Sequence, residues 1–237
     1  YCNADELPEH NATVSAFALD TFEVTVGRFR RFVALYPASR PAVGDGAHPK
    51  AAGSAWSSSW DSSLPADKAA LIAKLKCSPY ATWSDATTSG DNRPINCVDW
   101  YVAFAFCAWD GGRLPTEAEW EYASSGGQNR VLPWLSPTAT TAPTGLYATF
   151  ATTTVLPVGS TPKGIGRWGQ QDLAGSVWEW TRDRSPYSGD CVDCIGSGLG
   201  LTRGGGFGNA AGNLRANARG TAKPGPEQVG VRCARNL

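Results

Sequence analysis

Every strong helix signal in this chain falls before residue 125, and beyond residue 160 glycine recurs too often for another long element to form. Thr25 is placed to cap a helix on which Val26, Phe29, Phe32, Val33 and Tyr36 share one face, after an extended segment that opens at Asp20. Pro65 stands at a first helical position, ahead of a short helix with Leu71, Ile72 and Leu75 as its apolar stripe. Asp99 to Asp110 reads as an aromatic-rich helix stopped by Gly111 and Gly112. Thr116, with Glu119 three residues later, makes a capping box and predicts a helix over residues 117–124. Residues 37–64 turn to Pro, Gly, Ala and Ser around Trp56 and Trp60, which reads as a long surface excursion. Residues 136–161 read as short strands and turns, and the Gly-rich remainder as tight turns between short strands. Helices gathered in one half and short strands in the other predict an α+β fold.

The chain has 237 residues, enough for one domain with a substantial core. Lys plus Arg and Asp plus Glu both total 21, so the formal charge is zero and no nucleic-acid stripe or polybasic membrane contact is indicated. No apolar run approaches the roughly 20 residues of a membrane span. His10 and His48 sit in polar, Pro- and Gly-rich surroundings and are expected to be exposed, which argues against a histidine metal triad or a Ser-His-Asp triad. The chain lacks methionine and begins at Tyr1, as a processed or excised piece would.

Seven cysteines suit an oxidising compartment, so a secreted, periplasmic or cell-surface location is expected, and the odd number leaves one thiol over. Cys77 and Cys97 flank a turn-rich segment and are expected to pair, with Cys2 left over. Cys191 and Cys194 form a Cys-x-x-Cys in a Gly/Ser loop without an adjacent Lys, Arg or His; a loop staple is the first reading and redox or soft-metal chemistry the second. Two other signals mislead. Residues 164–169 match a dinucleotide-binding fingerprint letter for letter, but no parallel-sheet unit surrounds them. Glu117, Glu119 and Glu121 point to different helix faces and are expected to serve capping and solvation.

Four phrases carry a family resemblance: Phe22-Glu23-Val24-Thr25-Val26; Arg113-Leu114-Pro115-Thr116-Glu117-Ala118-Glu119-Trp120-Glu121-Tyr122-Ala123; Leu173-Ala174-Gly175-Ser176-Val177-Trp178-Glu179-Trp180-Thr181; and Arg203-Gly204-Gly205 with Val229-Gly230-Val231-Arg232-Cys233. In this order they resemble the formylglycine-generating enzyme, or sulfatase-modifying-factor, family, over roughly nine-tenths of the chain. The resemblance implies a C-type-lectin-like fold of twisted antiparallel strands, a few helices and much irregular loop, with the family's opening strand missing. It also implies a disulfide between Cys107 and Cys233. In the third phrase it implies a calcium ion held by Asp172, the carbonyls of Gly175 and Val177, and Glu179, an all-oxygen set suited to a hard cation; the alternative is that Asp172 and Glu179 pair with arginine or cap turns. The family's second calcium site is expected to be lost at Thr149.

The enzymes of this family place two copper-binding thiols after the Arg-Gly-Gly turn, and soft thiolates select that ion. Here residues 206–215 contain no cysteine, and Gly206 stands where serine is usual. No copper chemistry is therefore expected, and the leading expectation is a non-catalytic, exported binding or structural module stabilised by calcium. Its ligand surface is expected at Asn209, Asn213, Arg215, Asn217 and Arg219, with Trp56 and Trp60 able to stack on a glycan or a protein partner; the alternatives are ordinary packing of the loop for the two tryptophans and internal ion pairs for Arg215 and Arg219. The competing expectations are an enzyme of different chemistry in the same cleft and a self-assembling envelope or fibre component.

Overall fold

A computed structural model describes residues 11–136, 138, 141–183, 189–196, 200–220 and 225–237. Cys2 and His10 lie outside them. Among the described residues four α-helices form, in the four stretches read as helical: α1 (Val26–Leu35), α2 (Lys68–Leu75), α3 (Trp100–Trp109) and α4 (Glu117–Ser125). Thr25 accepts from the Arg28 N–H and Asp99 from that of Val102, while Thr116 and Glu119 exchange both capping-box bonds. Gly126 ends α4 in the left-handed region at φ 67°, where a Cβ would be strained. The start of α2 differs from expectation. Asp67 caps it by accepting from Ala70 N, so Pro65 stands before the helix instead of in its first turn.

Among the described residues there are seven strands of two or three residues: β1 (Ala12–Thr13), β2 (Phe17–Leu19), β3 (Trp178–Trp180), β4 (Cys191–Val192), β5 (Thr202–Arg203), β6 (Val229–Gly230) and β7 (Ala234–Asn236). β2 pairs antiparallel with β7, and β3 lies between β5 and β6. The pairing is mixed, where antiparallel strands were expected: β1 with β4 and β3 with β6 run parallel. Long intervening chain permits this, since parallel neighbours need a crossover of a dozen or more residues. Strands this short carry no period of their own, and sequence reading gave neither β1 nor β2. Residues 141–161 contribute turns, with a single bridge from Thr149 to Gly175.

The main core lies between α1, α2 and α3. Phe29 stacks on Phe106 at 4.9 Å, and Phe32 meets the edges of Phe106 and Trp109. α3 is apolar on nearly every side because the excursion of residues 37–64 covers the face that α1 leaves open. The excursion itself stays largely exposed, as expected, while its tryptophans pack against α3. Trp56 is buried, packs on Phe104 and donates to Asp61 at 2.8 Å, and Trp60 meets the edges of Trp100 and Phe104. His48 is likewise buried, not exposed: its Nε2 lies 3.4 Å from Glu119 Oε1 and its Nδ1 accepts from Lys50 N, so both ring nitrogens find partners inside.

Disulfides join Cys77 to Cys97, Cys107 to Cys233 and Cys191 to Cys194. The second ties α3 to the segment just before β7; the third closes the loop that carries β4.

Candidate functional site

The Asp172–Thr181 phrase forms a tight turn running into β3, the middle strand of its sheet. Asp172 and Ser176 adopt positive φ (58° and 63°), which aims successive backbone groups inward. At the end of the turn Glu179 meets Arg232, and both side chains are almost wholly buried. Arg232 Nε lies 3.0 Å from each Glu179 oxygen and Nη2 lies 2.8 Å from Oε1, while Trp120 Nε1 donates to Oε2 at 2.7 Å. The remaining guanidinium hydrogens go to the carbonyls of Asp20, Thr21 and Gln171. Every N–H of this arginine therefore has an acceptor, the condition under which a buried ion pair is tolerated.

Glu23 lies beside this pair, also buried, and accepts from Val177 N and Ser176 Oγ at 3.1 Å each. Burial, then the nearby Asp172 and Glu179 carboxylates, push its carboxyl well above the ordinary range, against the opposing pull of Arg232. Asp172 accepts from Gly159 N at 2.6 Å and Thr161 Oγ1 at 3.2 Å. As packed, these residues do not fit the expected calcium cage. A carboxylate offers about four lone-pair positions, and Arg232 and Trp120 make four contacts with Glu179. Among the described residues no group of three or more His, Cys, Asp or Glu side chains is arranged to hold a metal.

The Arg-Gly-Gly turn follows the same internal logic. Arg203 is fully buried, pairs with Glu117 at 3.0 Å and with Glu121, and donates to the carbonyls of Ala216 and Ala218. Arg219 also pairs with Glu117. Glu117 and Glu119 are thus buried partners of arginine, Glu119 through Arg113, which corrects the expectation that this acidic cluster is solvated. Of the expected ligand surface, Asn209 accepts from Trp178 Nε1 and Gly206 N, Arg219 pairs with Glu117, and Asn213, Arg215 and Asn217 are half-buried. At Gly206 a Cβ would meet Gln228 Oε1 at 2.8 Å and Trp178 at 3.1 Å, so the space a larger residue would need is filled.

An open cleft of about 590 Å³ lies elsewhere, between the excursion of residues 37–64 and the disulfide-closed loop. Lys50, Gly53 and Trp60 of the excursion, Cys194 and Gly196 of the loop, and Arg182 line it. Arg182 lies two residues past the end of β3 and is held there by its neighbours: Arg182 N donates to Pro115 O, Trp100 Nε1 to Thr181 O, and Thr181 Oγ1 to Leu201 O. Its guanidinium sits 5.4 Å from the ring centres of Trp60 and Trp100 and 5.7 Å from that of Phe104. Lys50 reaches Ser15 Oγ at 2.6 Å and Asp193 at 3.7 Å. Burial alone would raise the Asp193 carboxyl; the hydroxyl and N–H of Ser15, with the Lys50 charge, outweigh it and hold the group below its ordinary range. Sequence reading missed Arg182, Lys50 and Glu23; an arginine immediately after a Trp-Glu-Trp-Thr run was the one local sign of the first.

Short mixed strands around a few capped helices and long irregular loops, with the buried Glu179–Arg232 pair at the centre, define a C-type-lectin-like scaffold. The chain belongs to the sulfatase-modifying factor enzyme 1-like domain family, whose model matches residues 2–237. It is 29% identical over 252 residues to the inactive C-alpha-formylglycine-generating enzyme 2 of Mus musculus, covering 97% of this chain and 78% of that protein. To the formylglycine-generating enzyme of Mus musculus it is 29% identical over 211 residues, 75% of this chain and 52% of that protein. A shorter stretch of 96 residues is 40% identical to the hercynine oxygenase of Mycobacterium tuberculosis, 38% of this chain and 22% of that one. In fold it resembles PvdO from Pseudomonas aeruginosa (TM-score 0.67, 22% identity, 99% of this chain and 86% of that one) and Treponema denticola variable protein 1 (TM-score 0.61, 21% identity, 96% and 87%).

Proposed function

We propose that this chain is a non-catalytic member of its family, an exported module that binds a partner through the cleft at Arg182. The observation that carries the reading is the Arg-Gly-Gly turn: residues 206–215 offer no thiol, and Gln228 and Trp178 fill the space beside Gly206. Copper chemistry of the formylglycine-generating kind has no ligands there. Three disulfides, and the lack of any helix long and apolar enough to cross a membrane among the described residues, support an exported location. The test is incubation of the copper-loaded chain with a cysteine-bearing sulfatase peptide: no aldehyde product is expected, and turnover above the metal-free control would end the reading.

Calcium is a separate part of the proposal. The excess of Glu23, Asp172 and Glu179 over Arg232 supports a cation near the turn, and the saturation of Glu179 opposes it. Elemental analysis decides: one calcium per chain requires Glu179 to leave Arg232, whereas none leaves the arginine as its counter-charge. An enzyme of different chemistry in the same cleft is favoured by one observation, that Cys194 of the disulfide lines it. Stoichiometric iron or copper with a reduced Cys191/Cys194 pair would establish that reading instead.

A further inference from the structure

The cleft holds a buried cation with an unused edge. Arg182 is 7% exposed, yet it donates only through Nε, to Ser54 O at 2.7 Å, and Nη2, to Gly53 O at 3.1 Å. Both hydrogens of Nη1 and one of Nη2 have no partner among the described residues, and the side chain joins no ion pair. The two bonds it makes fix one side of the guanidinium plane against backbone, and three aromatic rings fix its position. What is left is the end-on Nη1/Nη2 edge, whose parallel donors match the two oxygens of a carboxylate. Burial lowers the readiness of this group to hold its charge, with Asp183 the only opposing influence, so an anion brought to it would relieve a standing desolvation cost.

We propose that Arg182 is the anchor of a carboxylate-binding site in this cleft. The other charges that face it set the number of negative charges taken. Lys50 is already matched by Asp193, while Asp183 accepts from the backbone N–H groups of Glu117 and Gly196 and acts on Arg182 through space only, so among the described residues Arg182 is the cation of this cleft without an ion pair. A monoanionic planar carboxylate suits that balance better than a doubly charged phosphate. Trp60 on one wall and the backbone around Cys194 and Gly196 on the other are available to the rest of the ligand. This rests on reading the cleft as the module's binding surface, and it names the chemistry of what binds.

The test uses calorimetric titration of the whole chain with acetate, glucuronate and N-acetylglycine, against the methyl ester of glucuronate and inorganic phosphate as controls. Glucuronate or N-acetylglycine is expected to bind at least about tenfold more tightly than the neutral ester, and Arg182→Gln to remove that difference, since each tenfold corresponds to the loss of about one charge-assisted contact. Preference for glucuronate would point to an acidic sugar, preference for N-acetylglycine to a peptide end. Lys68→Ala, at an exposed position of α2 outside the cleft, is expected to retain binding within a few-fold and serves as the folded control. Equal binding of acid and ester, tighter binding of phosphate, no binding of any carboxylate, or full binding by Arg182→Gln would each overturn the proposal. Aldehyde formation on a sulfatase peptide would end the non-catalytic reading alone and leave the carboxylate site standing.

Discussion

Two arginines, each two residues past the end of a strand of the same sheet, are both buried, and they are treated in opposite ways. Arg232, next to β6, spends all five N–H groups on Glu179 and three backbone carbonyls. Arg182, next to β3, spends two and keeps an edge toward a cleft. A buried charge without a counter-charge is costly, so a fold that tolerates one beside open space has left room for a partner. The paired arginine reads as structure, the unpaired one as function. The two other arginines of the interior, Arg113 and Arg203, fall with Arg232, since each faces a glutamate of α4.

The largest expected effect falls on the staple next to the paired region. Replacing Cys107 and Cys233 together by serine should cost about 5 kcal/mol for a sequence separation of 126, against about 3 for Cys77–Cys97 at 20 and about 2 for Cys191–Cys194 at 3, on the loop-entropy argument. Urea unfolding of the three double variants checks the order. If loss of Cys191–Cys194 cost most, the cleft and not the core would be the stability centre. Next comes Arg232→Ala, which strands Glu179 beside Glu23 and Asp172 and should cost about 3–5 kcal/mol.

A smaller effect separates two buried glutamates by pH. The Glu23 carboxyl is raised in the folded protein, so the folded state holds its proton more tightly than the unfolded one. Stability from this group is full at acid pH and falls as pH rises from the ordinary carboxylate range through the raised value. Glu119 runs the other way: burial would raise it, but His48, Arg113 and Thr116 N outweigh burial and hold it low, so its contribution is lost as pH falls below the ordinary range. Glu23→Gln keeps an acceptor for Val177 N and a donor toward Ser176, and should raise stability at neutral pH by about 1 kcal/mol or more while flattening the alkaline side of the profile. An unchanged pH profile would mean that Glu23 is ionised, and that a cation sits beside it.

What was legible in the sequence was local or carried by motif. Thr25, Asp99 and the Thr116–Glu119 box act within one helical turn, so their spacing alone predicts their bonds. The resemblance supplied Cys107–Cys233 across 126 residues, which no local pattern could. The strands were illegible because two or three residues have no alternation to read, and β1 finds β4 nearly 180 residues away. His48 was misplaced because Pro- and Gly-rich neighbours signal an exposed loop and this loop folds down onto a helix, whereas for Trp56 the packing alternative is the one that forms. Arg182 stands in the plainest motif of the chain, yet its importance is a missing partner, a property that exists only in three dimensions.

The smallest expected effect is the one that bears most directly on the two arginines. Arg182→Gln removes two donors to backbone carbonyls, at about 1 kcal/mol each. It also removes a buried charge that forms no ion pair among the described residues and that Asp183 offsets only through space, which is a gain of similar size. The net change in unfolding free energy should lie within about 1 kcal/mol, beside the about 3–5 expected for Arg232→Ala. Should Arg182→Gln instead cost as much as Arg232→Ala, the guanidinium would be a structural pillar between the excursion and β3. Its free edge would then be incidental. A cost near zero, with carboxylate binding lost, would mean that the fold holds this charge for something other than itself.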